Sequence, residues 1–274
     1  MTAPEGDTSR TTVEEFYEDF SLDAGLRDWL RPNSRHERLR VELDDVLGGA
    51  RNLSILDLGC GGGVLSSFLC RYGSVTGIDL SGSAVQLASL LEPRARFEAG
   101  TLDAHEPRRP YDLITLFDVL EHVPTSNRPA LFQELDRVRA PGGWIVLSTP
   151  HPDFARWVSE NRPDLMQVVD EPVELAELVQ LGARIGLEIV VYRAYSVDAP
   201  AARQYQFVAL APVAGGAREL YRPLPGHWLR VRLASSSNPI APAARRARHA
   251  LRLVRAGRPR AAAWLLHVRR EPPL

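Results

Sequence analysis

From Leu53 onward, short apolar runs alternate with stretches of helical periodicity. LSILDLG is followed by VLSSFLCRYG, then SVTGIDL, AVQLASLLE and ARFEAG. YDLITLFD reads as a further strand, 127–138 as a helix, and GGWIVLSTP as a strand opened by the Pro141-Gly142-Gly143 turn. Strand–helix alternation at this pitch predicts βαβ units, hence a doubly wound α/β fold with a mostly parallel sheet and helices on both faces. Residues 151–172 are interrupted by proline and read as an irregular insertion. A helix over 171–186 is expected, with Leu175, Leu178, Val179 and Gly182 on one face. Two last strands, LEIVVYRA and QYQFVALAP, close this region. Ahead of it, 12–48 is helical in pattern: Val13, Phe16, Tyr17 and Phe20 form one run, and His36 to Leu47 a second. The expected organisation is a helical cap over 1–48, a catalytic domain over 49–212, and an extension over 213–274.

Charge divides the chain. The 33 basic residues are all arginine, and the net charge of −1 conceals an acidic body and a basic end. From Val213 onward there are thirteen arginines against two glutamates. Between 244 and 256, Ala244, Ala247, Ala250, Leu251 and Val254 recur at helical spacing, with Arg245, Arg248, Arg252 and Arg255 on another side. Such a basic helical tail suits packing on the acidic body or on a second subunit, as in a homodimer. It also suits peripheral contact with an anionic membrane surface. Nucleic acid is a weaker expectation, because the catalytic region is acidic. Cys60 and Cys70, the only cysteines, are too few for a disulfide framework or a structural zinc site. The polar, acidic start lacks the apolar core of a signal peptide, and no run of about 18 apolar residues exists. A cytoplasmic enzyme is the expectation.

The chemistry concentrates after the first strand, in Asp57-Leu58-Gly59-Cys60-Gly61-Gly62-Gly63. A strand that ends in a glycine turn and opens a helix lets backbone approach a ligand closely. The third glycine of the dinucleotide fingerprint G-x-G-x-x-G falls on Val64, which argues against a nicotinamide cofactor. Asp79 ends the second strand, twenty residues after Gly59. A carboxylate at that place can accept both hydroxyls of a ribose.

DLGCGGG, GIDLS, YDLITLFDVLEHVP and APGGWIVLSTP, in this order, resemble the class I S-adenosylmethionine-dependent methyltransferases. The nearest likeness is to the small-molecule branch that includes the ubiquinone-biosynthesis O-methyltransferases. The resemblance covers about 36–212 and implies a seven-stranded sheet whose last strand is reversed. It implies S-adenosylmethionine as cofactor, with Asp57, Gly59, Cys60 and Gly61 at its methionine end and Asp79 at its ribose. Leu80 would pack on the adenine and Phe117 beside the methionine moiety. The acid that usually follows the third strand is missing from its place in Gly100-Thr101-Leu102-Asp103. Thr101, the Leu102 backbone or Asp103 is left to read the adenine.

A hydroxyl acceptor must lose a proton, so a base is sought beyond the carboxyl ends of the strands. His122 and His151 are the candidates. Acids accompany them, at Asp118, Glu121 and Asp153, but without a fixed metal-ligand spacing, and no metal is assigned. The acceptor is expected between two walls. One is a helical lid carrying Phe16, Tyr17, Trp29 and Arg35; the other is the insertion, with Phe154, Trp157 and Met166. Arg156 and Arg162 flank Trp157 and suit an acidic group, and Tyr17, Trp157 and Glu121 are the substrate candidates. O-methylation of a small-molecule hydroxyl, on a sugar or a phenolic metabolite, is the leading expectation. RNA methylation and a non-catalytic cofactor-binding module are the alternatives.

Overall fold

In the computed structural model, residues 25–31, 33–167, 169–197 and 203–212 are described. The expectations for Tyr17 and its neighbours and for the arginine-rich tail lie outside them. Helix α1 (Ser34–Leu47) begins where Asn33 accepts hydrogen bonds from the Arg35 and His36 N–H groups. The cap satisfies two donors that helix geometry leaves unpaired. Strands β1 (Leu53–Leu58), β2 (Gly73–Asp79) and β3 (Arg96–Ala99) alternate with helices α2 (Val64–Leu69) and α3 (Gly82–Leu91). Strand β4 (Tyr111–Phe117), helix α4 (Arg128–Val138) and strand β5 (Arg139–Pro150) follow. Helices α5 (Pro152–Asn161) and α6 (Leu175–Arg184) then lead to β6 (Leu187–Tyr195) and β7 (Tyr205–Pro212).

The seven strands are ordered β3-β2-β1-β4-β5-β7-β6. All neighbours from β3 to β5 are parallel, and β7 runs antiparallel to both β5 and β6. This is the sheet that the resemblance implied. Its central strands bury both faces, so they read as continuous apolar runs. Ile55, Leu113, Val146 and Phe207 pack with Leu39, Leu43 and Leu69 on the α1–α2 side. Leu56, Ile114, Leu147 and Val208 pack with Phe132, Leu135 and Leu178 on the α4–α6 side. The strand order reverses direction between β1 and β4. In open α/β sheets, ligands bind at that crevice, outside the carboxyl ends of the strands.

Three local expectations need correction. Residues 152–161 form a regular helix, because His151 caps it and Pro152 stands at its first position, where proline is well tolerated. The helix expected over 171–186 starts only at Leu175. Its buried stripe is Leu178, Leu181 and Gly182, while Leu175 and Val179 face solvent. Strand β5 begins at Arg139, ahead of the Pro141-Gly142-Gly143 turn, with an irregular register against β4 between Tyr111 and Leu113. Among the described residues, no helix is long and apolar enough to cross a membrane.

Candidate functional site

A cavity of about 830 Å³ opens at the strand-order reversal. Asp57, Gly59, Cys60 and Gly61 line it after β1, with Asp79 and Leu80 after β2. Thr101, Leu102 and Asp103 line it after β3, and Phe117, Asp118 and His122 after β4. The register sets this convergence: Asp57 lies beside Gly77 and Leu58 beside Ile78, so β2 delivers Asp79 next to the glycine turn. Asp79 Oδ2 accepts from the Gly61 N–H at 2.7 Å and Oδ1 from the Ser81 N–H at 3.0 Å.

The turn is glycine for steric reasons. Gly59 has φ +71°, and a Cβ there would stand 2.2 Å from Val119 Cγ2. Gly62 meets Gly25 backbone to backbone: a Cβ on either would come within 3 Å of the other's Cα. Trp29 Nε1 donates to the Gly62 carbonyl at 2.5 Å, so the helical residues 25–30 are tied to the turn.

Asp57 lies beneath the turn, 2 % exposed. It accepts from Ser66 Oγ at 2.5 Å and from Thr115 Oγ1 at 2.7 Å. Burial pushes its carboxyl up to about 6, against the pull of those two hydroxyls, and the nearby Asp79 charge adds to the rise. Cys60 is buried, and its thiol is raised well above the usual range by desolvation first and the carboxylates second, the opposite of an activated nucleophile.

These residues fit the expected cofactor. Leu80 is 37 % exposed and lines the cavity, an apolar side chain left for a ring to cover. The Asp79 carboxylate stands at the strand tip where a ribose would be read, and Thr101, Leu102 and Asp103 line the same end.

The same cavity also carries titratable side chains. His122 lines the cavity, and its Nδ1 lies 2.8 Å from the Val169 carbonyl. That carbonyl can only accept, so Nδ1 carries the hydrogen and Nε2 is the basic nitrogen. The Val169 segment is held in turn by Arg128, which is fully buried. Its guanidinium donates to the carbonyls of Val123, Glu171 and Pro172 and pairs with Glu177 at 2.8 Å.

His151, Glu121 and Trp157 are not among the lining residues. His151 is buried as the cap of α5, with Nδ1 accepting from the Asp153 N–H at 3.3 Å. Glu121 is buried beside Asp118; desolvation and then that charge hold its carboxyl well above the usual range. Trp157 is 51 % exposed and stacks on Phe154, which in turn packs against Tyr205. Arg156 pairs with Asp153 and Glu174, and Arg162 with Asp164, so both arginines are engaged within their own neighbourhood. From the segment 151–172, Gln167 lines the cavity. Among the described residues, no cluster of three or more metal-ligating side chains suits an ion.

Sequence reading alone passed over Asp28, His36 and Asn127 as lining residues, and Arg128 as the tie behind them. The Pro32-Asn33 helix start was the available signal for His36, since a capped first turn places its side chains reproducibly.

The family model for a methyltransferase domain matches residues 31–192. The ubiquinone biosynthesis O-methyltransferase of Nitrosomonas europaea is 39% identical over 135 residues, covering 44% of this chain and 57% of that protein. The enzyme of the same description from Alkalilimnicola ehrlichii is 36% identical over 165 residues, covering 54% and 65%. The chain thus spans about three-fifths of the length of these curated relatives. A magnesium protoporphyrin IX methyltransferase from Synechocystis, solved with bound S-adenosylhomocysteine, superposes with a TM-score of 0.60. That match covers 74% of this chain and all of the other at 18% identity, a likeness of fold. With the matched domain, the glycine turn and Asp79 on one cavity, the chain belongs to the class I S-adenosylmethionine-dependent methyltransferases.

Proposed function

We propose that this chain transfers a methyl group from S-adenosylmethionine to a hydroxyl of a small molecule, a sugar or a phenolic compound. The observation that carries the reading is His122. It stands on the same cavity as the glycine turn, and the Nδ1 contact to the Val169 carbonyl assigns the proton-accepting role to Nε2. The names of the two curated relatives agree with oxygen as the acceptor atom.

When bound, S-adenosylmethionine supplies a methyl group on a positively charged sulfur. The chain's part is positioning and proton transfer. Asp79 and the Gly59–Gly61 turn hold the ribose and methionine ends, and Phe117 walls the passage to the acceptor. His122 Nε2 takes the hydroxyl proton, making the acceptor oxygen nucleophilic as it meets the methyl. Arg128 keeps the Val169 carbonyl in place and so keeps the His122 ring in one orientation.

The test is methyl transfer from labelled S-adenosylmethionine to fractionated small-molecule extracts and to total RNA. Label in an alkali-stable small-molecule ether supports the reading, and label in RNA overturns it. His122→Ala should lower turnover by about 10²–10⁴ while S-adenosylhomocysteine affinity, measured by calorimetry, is kept. Near-normal turnover in that variant would remove His122 from the role.

A further inference from the structure

Beyond Phe117 the cavity holds side chains that the proposed proton transfer does not use. Arg35 Nη1 pairs with Asp118 Oδ2 at 2.9 Å, and the guanidinium lies 5.6 Å from the Tyr205 ring centroid. His36 Nε2 stands 3.7 Å from Asp28 Oδ2. All four polar residues, Asp28, Arg35, His36 and Asp118, line the cavity. Three of them keep a buried polar atom without a hydrogen-bond partner: Arg35 Nε, His36 Nδ1 and Asp118 Oδ1. All three atoms are sealed from solvent, so an acceptor in the cavity meets the charge of this wall rather than those atoms. Asp118 is also held at φ +55°, a conformation that non-glycine residues rarely adopt and that clusters at ligand sites. Its N–H donates to the Ser148 carbonyl, which extends the β4–β5 pairing and fixes this conformation.

We infer that Arg35, Asp118 and Asp28 set acceptor specificity and select an uncharged acceptor, because the wall they form already holds one carboxylate more than it has guanidinium groups. The inference rests on the methyl-transfer reading. Charge decides the class. An arginine unopposed in a pocket would suit a carboxylate or phosphate. Here its charge is met by Asp118, and Asp28 brings a second carboxylate to the same wall. An anionic acceptor would enter beside two carboxylates where screening is weak. A neutral acceptor brings no further charge to that wall.

The experiment uses matched probes: 4-hydroxybenzyl alcohol against 4-hydroxybenzoate, and methyl glucoside against glucuronate. Binding to the S-adenosylhomocysteine complex is followed by ligand-detected NMR, and methyl transfer is followed separately. The full chain should favour the neutral member of each pair at least tenfold. Asp118→Asn, which removes the surplus carboxylate, should move that ratio at least tenfold toward the carboxylate, with S-adenosylhomocysteine affinity retained. Should that variant lose cofactor binding, Arg35→Gln decides, and it should widen the preference for the neutral member threefold or more. A carboxylate preference in the parent protein, an unmoved ratio in the variants, or binding of no probe at all overturns the inference. Neutral-selective binding without methyl transfer to any acceptor leaves it standing and overturns the methyl-transfer reading instead.

Discussion

The two ends of the cavity are built by different means. The end assigned to the cofactor in the proposal is mostly backbone: a glycine turn after β1, an N–H donated from Gly61 to Asp79, and strand register that brings the two together. The end proposed for the acceptor is mostly side chains from separate segments. Arg35 and His36 come from α1, Asp118 and His122 from the exit of β4, and Gln167 from beyond α5. Arg128 ties two of these segments from behind. A site made of backbone needs a short motif and a correct sheet. A site made of side chains also needs every tertiary contact that aims them.

The contrast can be broken at either end. Asp79→Ala should have the largest effect: losing two charge-assisted hydrogen bonds to a ribose, about 3–6 kcal/mol together, would lower S-adenosylhomocysteine affinity at least a hundredfold by calorimetry. Arg128→Met acts on the other end. It strands Glu177 and three carbonyls, and should cost about 3–5 kcal/mol in chemical denaturation. Cofactor affinity of the folded fraction should change less than twofold; a large loss would show that the two ends are not separable.

Asp57 sharpens the comparison through pH. Its carboxyl sits at about 6 in the folded protein and near 3.8 when unfolded. Between those values the folded state keeps a proton that the unfolded chain has released. Stability should therefore fall as pH rises from about 4 to about 6, by up to about 3 kcal/mol, and level off above. Asp57→Asn should flatten that limb in denaturant titrations across pH; an unchanged slope would place the effect elsewhere. Trp29→Phe should be mildest, about 1 kcal/mol of thermal stability, for the single bond to the Gly62 carbonyl.

That the glycine turn and Asp79 share one cavity was legible in the sequence because their determinants are local. DLGCGGG needs only a strand before it and a helix after it, and Asp79 needs only the next strand in register. Much of the acceptor end was not. Nothing in the spacing of Arg35 and Asp118 announces that they meet, because α1 and the exit of β4 are joined only in space. Arg128 looks like an ordinary charged residue beside Pro129, yet it is fully buried, a cost that three carbonyls and Glu177 offset. His151 has a second, local use that its spacing does not reveal: a histidine before Pro-Asp caps a helix as readily as it takes a proton. The pairing of Trp157 with Phe154 likewise depends on a helix that the proline-interrupted pattern hid.

The reversal of β7 gives the molecule a front and a back. Tyr205 lies by the Arg35 guanidinium at the cavity, whereas Pro212 pairs with Leu187, at the sheet edge where the parallel strands begin. Eight residues at about 3.3 Å each separate the two ends by roughly 25 Å. The other side of the chain is laid out differently, since Gly25 itself lines the cavity. For a biosensor or an immobilised catalyst, attachment at Pro212 therefore lies at the end of β7 away from the opening, whereas any side chain added at Gly25 would press on the Gly62 turn that lines the cavity.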